Sequence, residues 1–186
     1  INHTINENNS MGLTYSRRIT RPTYSDLNPF EYFLDRYTYN QGNPFLNPEY
    51  TNTFELSYTL FKKYNASLSY TKTTDVMTQV LLPDPEKSAL YQTNANLAEQ
   101  LSYALNISAP VTFTKWWNSN TNLTVFNNHF TSPDLNGQVL DNKQTAFQIF
   151  HSENFTINSS TSVEISGNYQ SKLIYGTFLV QPQYAV

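Results

Sequence analysis

Runs of strictly alternating character, many longer than any ordinary globular strand, constrain this chain more than any other feature. From Asn65 to Thr71, Ala66, Leu68 and Tyr70 share one parity, and Ser67, Ser69 and Thr71 the other. Leu101, Tyr103, Leu105 and Ile107 alternate with Ser102, Ala104, Asn106 and Ser108; Phe54, Leu56, Tyr58 and Leu60 alternate with Glu55, Ser57 and Thr59. Successive strand side chains point to opposite faces, so each run specifies a strand with one apolar and one polar side. Several runs extend over about 18–20 residues, against about 5–6 in globular strands. Helical periodicity is absent almost everywhere.

The alternation predicts about eight strands, near residues 10–19, 50–60, 65–82, 89–108, 120–130, 139–157, 161–170 and 173–186. A long aromatic-rich loop, about 20–50, separates the first two. Pro22, Asn28-Pro29, Gly42-Asn43-Pro44 and Asn47-Pro48 punctuate it. Proline lacks an amide donor and turns the preceding residue away from helix, so neither helix nor central strand is expected there. Phe61 to Tyr64 and Asn158-Ser159-Ser160 read as short turns, while Pro83-Asp84-Pro85 closes the third strand. Ala109-Pro110 through Asn118 reads as a connection, and Ser132-Pro133-Asp134 with Asn136-Gly137 as a turn.

Connections after the first, third and fifth strands carry proline and charge; those after the second and sixth are short and polar. An antiparallel up-and-down meander with one elaborated and one trimmed end has this asymmetry, and outer-membrane barrels use it. The fold class expected is therefore all-β, part of a transmembrane β-barrel. One strand breaks the pattern: His151 and Glu153 share the apolar parity of Phe147, Ile149, Phe155 and Ile157. A charge facing lipid at mid-depth is costly, so a β-bulge near His151, or a strand middle beyond the bilayer, is expected.

Composition narrows the classes. A net charge of −3 offers no basic face for nucleic acid. Charged residues make up 13% and aromatics 15%, with 14 Tyr and 12 Phe, so uncharged polar groups supply the wet side. No cysteine is present, which removes disulfide scaffolds, Cys-ligated zinc and Cys nucleophiles. No apolar run approaches a transmembrane helix, a fact that does not bear on barrel strands. No signal peptide stands at Ile1, and the chain reads as a fragment or processed piece.

Two patches carry a family resemblance. Ser16-Arg17-Arg18-Ile19, Arg21-Pro22, Tyr24, Leu27-Asn28-Pro29-Phe30, Gly42-Asn43-Pro44, Leu46, Pro48-Glu49 and Glu55-Leu56 form the first. Ser166-Gly167-Asn168-Tyr169-Gln170-Ser171 with Tyr175-Gly176 forms the second. Both resemble the barrel of TonB-dependent outer-membrane receptors, of the outer-membrane β-barrel type common in Bacteroidetes. The resemblance implies that residues 1–186 are a C-terminal barrel portion in the bacterial outer membrane, with the plug domain absent. It implies a parent that imports a scarce nutrient (ferric chelate, cobalamin or glycan), with outer-membrane lipid around it. The TonB complex would be contacted through a missing N-terminal part.

Candidate site residues follow from parity. Arg18 lies with the polar side, and Arg18 and Arg21 form either a cationic patch facing an anionic ligand or an ion-paired rim. Arg17 falls on the lipid-side parity and reads as a rim residue. In the family Glu55 marks a lumen-facing carboxylate; here it has the polar parity, and a structural hydrogen bond is the favoured role. Trp116 and Trp117, beside a turn with Phe113 and Lys115, read as an interfacial aromatic belt, or alternatively as a sugar-stacking platform. His3, His129 and His151 lack metal-ligand spacing. His151 and Ser152 face opposite sides and cannot pair, so neither enzyme activity nor a cofactor is expected. Two other classes remain: a self-contained eight-stranded outer-membrane barrel with an adhesive or structural role, and a secreted soluble β-sandwich that binds carbohydrate.

Overall fold

The computed structural model describes residues 1–135 and 137–185. Strand β1 (Asn2–Asn6) turns back into β2 (Asn9–Thr20). The segment that follows holds a one-turn helix α1 (Tyr24–Leu27) and the short strands β3 (Glu31–Phe33) and β4 (Thr38–Gln41). The meander proper comprises β5 (Glu49–Leu60), β6 (Tyr64–Asp84), β7 (Ala89–Thr114), β8 (Trp117–Leu135), β9 (Gln138–Asn158) and β10 (Thr161–Gln170). Three short strands end the chain: β11 (Leu173–Tyr175), β12 (Phe178–Val180) and β13 (Gln183–Ala185). The main sheet runs β1-β2-β5-β6-β7-β8-β9-β10-β13, with each neighbouring pair antiparallel.

The expected alternation of long and short connections is not one of loop length: apart from residues 21–48, the connections of the meander at both ends are two to four residues long, because the strands themselves extend. Strand β7 runs through Pro110 to Thr114, so the connection expected at 109–118 shrinks to Lys115-Trp116. Pro110 is tolerated because β6 pairs no further along β7 than Ser108, leaving that edge of β7 free beyond it. Likewise, Ser132-Pro133-Asp134 does not end β8; a register shift between Ser132 and Leu135 absorbs the proline. The turn comes at Gly137, with φ 81°; Asn136 lies outside the described residues. At the opposite end, Phe61 and Lys62 adopt φ 54° and 53° to close the tight β5–β6 turn.

Three further expectations are corrected. Strand β1 lay outside the predicted strands, because its polar sequence NHTIN carries no alternation. The loop at 20–50 does contain a helical turn: Thr23 and Asp26 form a capping box, with Asp26 N donating to Thr23 Oγ1 at 3.3 Å and Thr23 N to Asp26 Oδ2 at 2.8 Å. Finally, the continuous strand expected at 173–186 is broken. Gly176, at φ 56°, folds β11 onto β12, and only β13 returns to pair with β10, at Asn168–Gln170. Val186 lies outside the described residues.

Parity translates into faces across the whole sheet. Leu13, Leu56, Leu68, Leu105 and Val125 form one cross-strand row, and Tyr15, Phe54, Tyr70 and Tyr103 the next. None of the described residues covers these rows: Leu68 is 55% exposed and Leu13 53%. Side-chain hydrogen bonds between neighbouring strands tie the opposite face. Thr51 meets Thr73 at 3.0 Å, Thr53 meets Thr71 at 3.1 Å, and Thr124 donates to Asn106 at 2.9 Å. Among the described residues, the cluster of buried apolar side chains lies beyond this two-faced wall. There Val76, Leu97 and Phe130 are buried, and Leu135, Leu140 and Ile174 pack around them. Asp75, at φ 55°, interrupts β6 where this extension begins.

Candidate functional site

Two regions stand out: the two-faced wall, and the elaborated end where residues 21–48 pack on the β6–β7 extension. On the wall, aromatic rings gather at both ends of the aliphatic row. Towards the elaborated end, Tyr15 and Phe54 stand 4.7 Å apart, Tyr70 and Tyr103 5.2 Å, and the Arg17 guanidinium lies 5.7 Å from the Tyr50 ring centre. Towards the trimmed end, Trp117 stacks on Phe113 at 4.2 Å and lies 6.2 Å from Trp116 and 6.0 Å from Phe155. One row beyond the upper rings the apolar parity turns polar, with the Lys72–Glu99 ion pair and His129 bonded to Asp141 at 2.6 Å.

The other sequence-predicted residues stay apart. Arg18 lies opposite Thr51 on the polar face and is exposed; Arg21 is exposed just past β2. Glu55, half-buried on the same face, lies between Thr14 and Ser69, four residues along β5 from Arg18's partner. Four strand residues are about 13 Å. Among the described residues, no ion pair includes Arg18, Arg21 or Glu55, and no three His, Asp or Glu gather at metal-binding distance.

The bulge expected near His151 is not there. Strand β9 keeps unbroken register with β8 from Phe155 to Leu140, and with β10 from Thr156 to Gln148. The polar groups satisfy one another instead. His151 Nδ1 bonds Thr121 Oγ1 at 2.9 Å, His151 Nε2 bonds Glu153 Oε1 at 3.0 Å, and Trp117 Nε1 donates to Glu153 Oε2 at 2.5 Å. Sequence parity found both offending residues but missed their partners, because Trp117 and Thr121 reach them only through the β8–β9 register.

At the elaborated end, β4 pairs in parallel with β7, Tyr39 opposite Tyr91, and the two rings stack at 5.6 Å. The Tyr39 hydroxyl donates to Asp84 Oδ2 at 2.6 Å; Lys87 stands over the same ring and pairs with Glu31. Next to this lock, Asn94 Nδ2 donates to Asp26 Oδ1 at 2.9 Å, and Asn47 N donates to Asn96 Oδ1 at 2.8 Å. Gly42 completes the dock. Its amide donates to Asn28 O at 2.9 Å, and a Cβ there would lie 2.8 Å from Asp26 O, closer than any side chain tolerates. In the sequence Gly42 and Asp84 read only as turn residues, and their role in the dock went unseen. The Thr23/Asp26 capping box was readable, but the Asn and Tyr partners come from 45 to 68 residues away.

The lock has a defined pH window. Donation from the Tyr39 hydroxyl, with the Glu86 and Lys87 amides and the Lys87 charge, holds Asp84 below its ordinary 3.8. Burial, then the hydrogen bond to Asp84 and its charge, pushes Tyr39 above 10.0. Asp84 therefore contributes stability above pH 3.8 that is lost as pH falls through its lowered value. Tyr39 contributes stability below pH 10.0 that is lost as pH rises through its raised value. Hydroxyl-radical footprinting of Tyr91 is expected to show protection between these limits and exposure beyond both. Tyr39→Phe should remove the alkaline step; an unchanged alkaline step in that variant would disprove the lock.

A family model described as the outer membrane protein β-barrel family matches residues 1–186. Among solved structures, the siderophore receptor PirA from Pseudomonas aeruginosa is similar at a TM-score of 0.56, with 14% identity, over 91% of this chain and 37% of that one. A mutant of the ferric enterobactin receptor PfeA from the same organism, in complex with enterobactin, matches at TM-score 0.49 and 11% identity, over 98% of this chain and 38% of that one. No curated protein matches. At these identities the PirA likeness carries the fold, and the chain spans 37% of that receptor's length.

Proposed function

The chain belongs to the outer membrane protein β-barrel family, and on that premise we propose that residues 1–186 form a barrel segment of a TonB-dependent receptor that imports a nutrient. The observation that carries the reading is the pair of faces. An uncovered aliphatic row between aromatic ends suits lipid, and a hydroxyl- and amide-laddered face suits a wet lumen. The chain's place is the outer membrane. In this reading Arg17, Trp116 and Trp117 anchor the two membrane interfaces; Arg18, Arg21 and Glu55 face the lumen or its mouth. The plug and the TonB-contacting segment belong to parts of the protein outside these residues, and the cargo is a ferric chelate, cobalamin or a glycan.

The open sheet argues against a self-contained eight-stranded barrel, since its edge strands β1 and β13 do not pair with each other among the described residues. The uncovered apolar rows argue against a soluble sandwich, which would bury them under a second sheet. The role is binding and passage, not catalysis: Ser152 is buried on the face opposite His151. Growth of the source bacterium on limiting nutrient tests the proposal. Growth that requires the full-length protein is expected to vanish when TonB is deleted; growth that requires the protein but ignores TonB would end this reading.

A further inference from the structure

Two adjoining clefts, of about 350 and 430 Å³, open on either side of the Gly42 turn and share Gln41, Gly42 and Thr93. Their chemistry is unusual for so polar a surface. Side-chain amides dominate the first: Asn28, Asn40, Gln41, Gln79, Gln92 and Asn94. Phe30 and Tyr32, 78% and 70% exposed, stand at its edge, and Phe45, 87% exposed, lines the second. Asp26 is the one charged residue in either lining, and both of its oxygens are taken, by Asn94 and by Thr23. Asn40 Oδ1 is buried without a donor.

Each of these facts restricts the ligand. With no cation in the lining and one carboxylate present, an anionic chelate would be desolvated without compensation. A purely apolar ligand would desolvate the amides without replacing their water, and among the described residues only Asn28, Gln41 and Asn94 have a protein partner for one of their polar atoms. An amide offers both donor and acceptor, which matches a hydroxyl that does the same. An exposed aromatic face takes an apolar ring face while leaving its polar rim wet. A peptide would need a free strand edge to satisfy its backbone, and β4 already has β3 on one side and β7 on the other.

We propose that these joined clefts bind a neutral, hydroxyl-rich ligand of the oligosaccharide class, stacked on Phe30, Tyr32 and Phe45 and hydrogen-bonded by the amides around Asn40. The inference rests on the receptor reading above and names the class of its cargo. The test is calorimetry on the full-length protein in detergent. The probes are maltohexaose, cellohexaose, mannohexaose and xylohexaose, with ferric tris-catecholate and a neutral hexapeptide alongside.

One hexasaccharide is expected to bind with a Kd between about 10 μM and 1 mM, within about twofold at low and high salt because no ion pair forms. Phe30→Ala with Tyr32→Ala should weaken it at least about tenfold, since exposed rings can be removed without disturbing the fold. Phe61→Ala, at the trimmed end, should leave it unchanged. The proposal is overturned if none of the hexasaccharides binds, if the peptide binds in their place, or if the double variant binds as the parent does. Binding of the ferric complex alone overturns this ligand class and leaves the receptor reading standing; TonB-independent growth does the reverse.

Discussion

Leu68→Arg is expected to cost about 2–4 kcal/mol of folding stability, while Ser69→Arg, one residue further along β6, should cost less than about 1 kcal/mol. The contrast follows from the register. Leu68 sits in the middle of the aliphatic row, between Leu56 and Leu105, whereas Ser69 lies between Glu55 and Ala104 on the polar face. An arginine at Leu68 would lie four residues from the polar Lys72 row and four from the strand start at Tyr64, about 10 Å of depth either way at a tilt near 40°, further than its guanidinium extends. In a water-soluble sheet the order would differ. Leu68 is 55% exposed, and an exposed position normally tolerates arginine within about 0.5 kcal/mol. The measurement is the urea dependence of the heat-modifiable, faster-running form of the full-length protein in lipid vesicles. Equal costs at both positions would remove lipid from the apolar face.

How much of this was readable in advance depends on distance along the chain. Alternation located β5, β6, β9 and β10 to within a residue or two, because period-two patterning and turn residues are local. The same rule misled at Pro110 and Pro133. Proline reads as a breaker unless one knows that a neighbouring strand has already ended, or that a register shift is available, and both facts belong to the partner strand. The segment at 20–50, read as a loop, holds a helical turn and two short strands, and it docks through groups the sequence could not bring together: Asp26 with Asn94, Tyr39 with Asp84, Asn47 with Asn96. Arg18, Arg21 and Glu55 were named for their residue type and parity. Arg18 and Glu55 share the polar parity of the sheet and Arg21 lies just past β2, and the three do not join into one site. The amide-lined clefts carry no motif at all, since Asn and Gln are common throughout this chain.

The polar island on the apolar face yields the other large effect, with opposite signs for two substitutions. His151 and Glu153 lie on β9 seven and five residues from Asn158, and four and two residues inside the Trp117–Phe155 pair, which at a strand tilt near 40° is about 5–10 Å inside that aromatic end. There the Glu153 carboxyl depends on Trp117 Nε1 and His151 Nε2 for its hydrogen bonds. Trp117→Phe keeps the ring stacked against Phe113 but removes a donor, and is expected to cost about 1.5–3 kcal/mol. Replacing both His151 and Glu153 by leucine removes the need for the donor. By the behaviour of buried ionic groups exchanged for apolar ones, that double variant should be neutral or more stable by about 1–4 kcal/mol. Unfolding in vesicles reads both. If the double variant is destabilised by more than about 1 kcal/mol, the island lies in water and the apolar band ends above it. If it is stabilised, the chain retains His151 and Glu153 at a stability cost, and the reason for keeping them has to be sought in function.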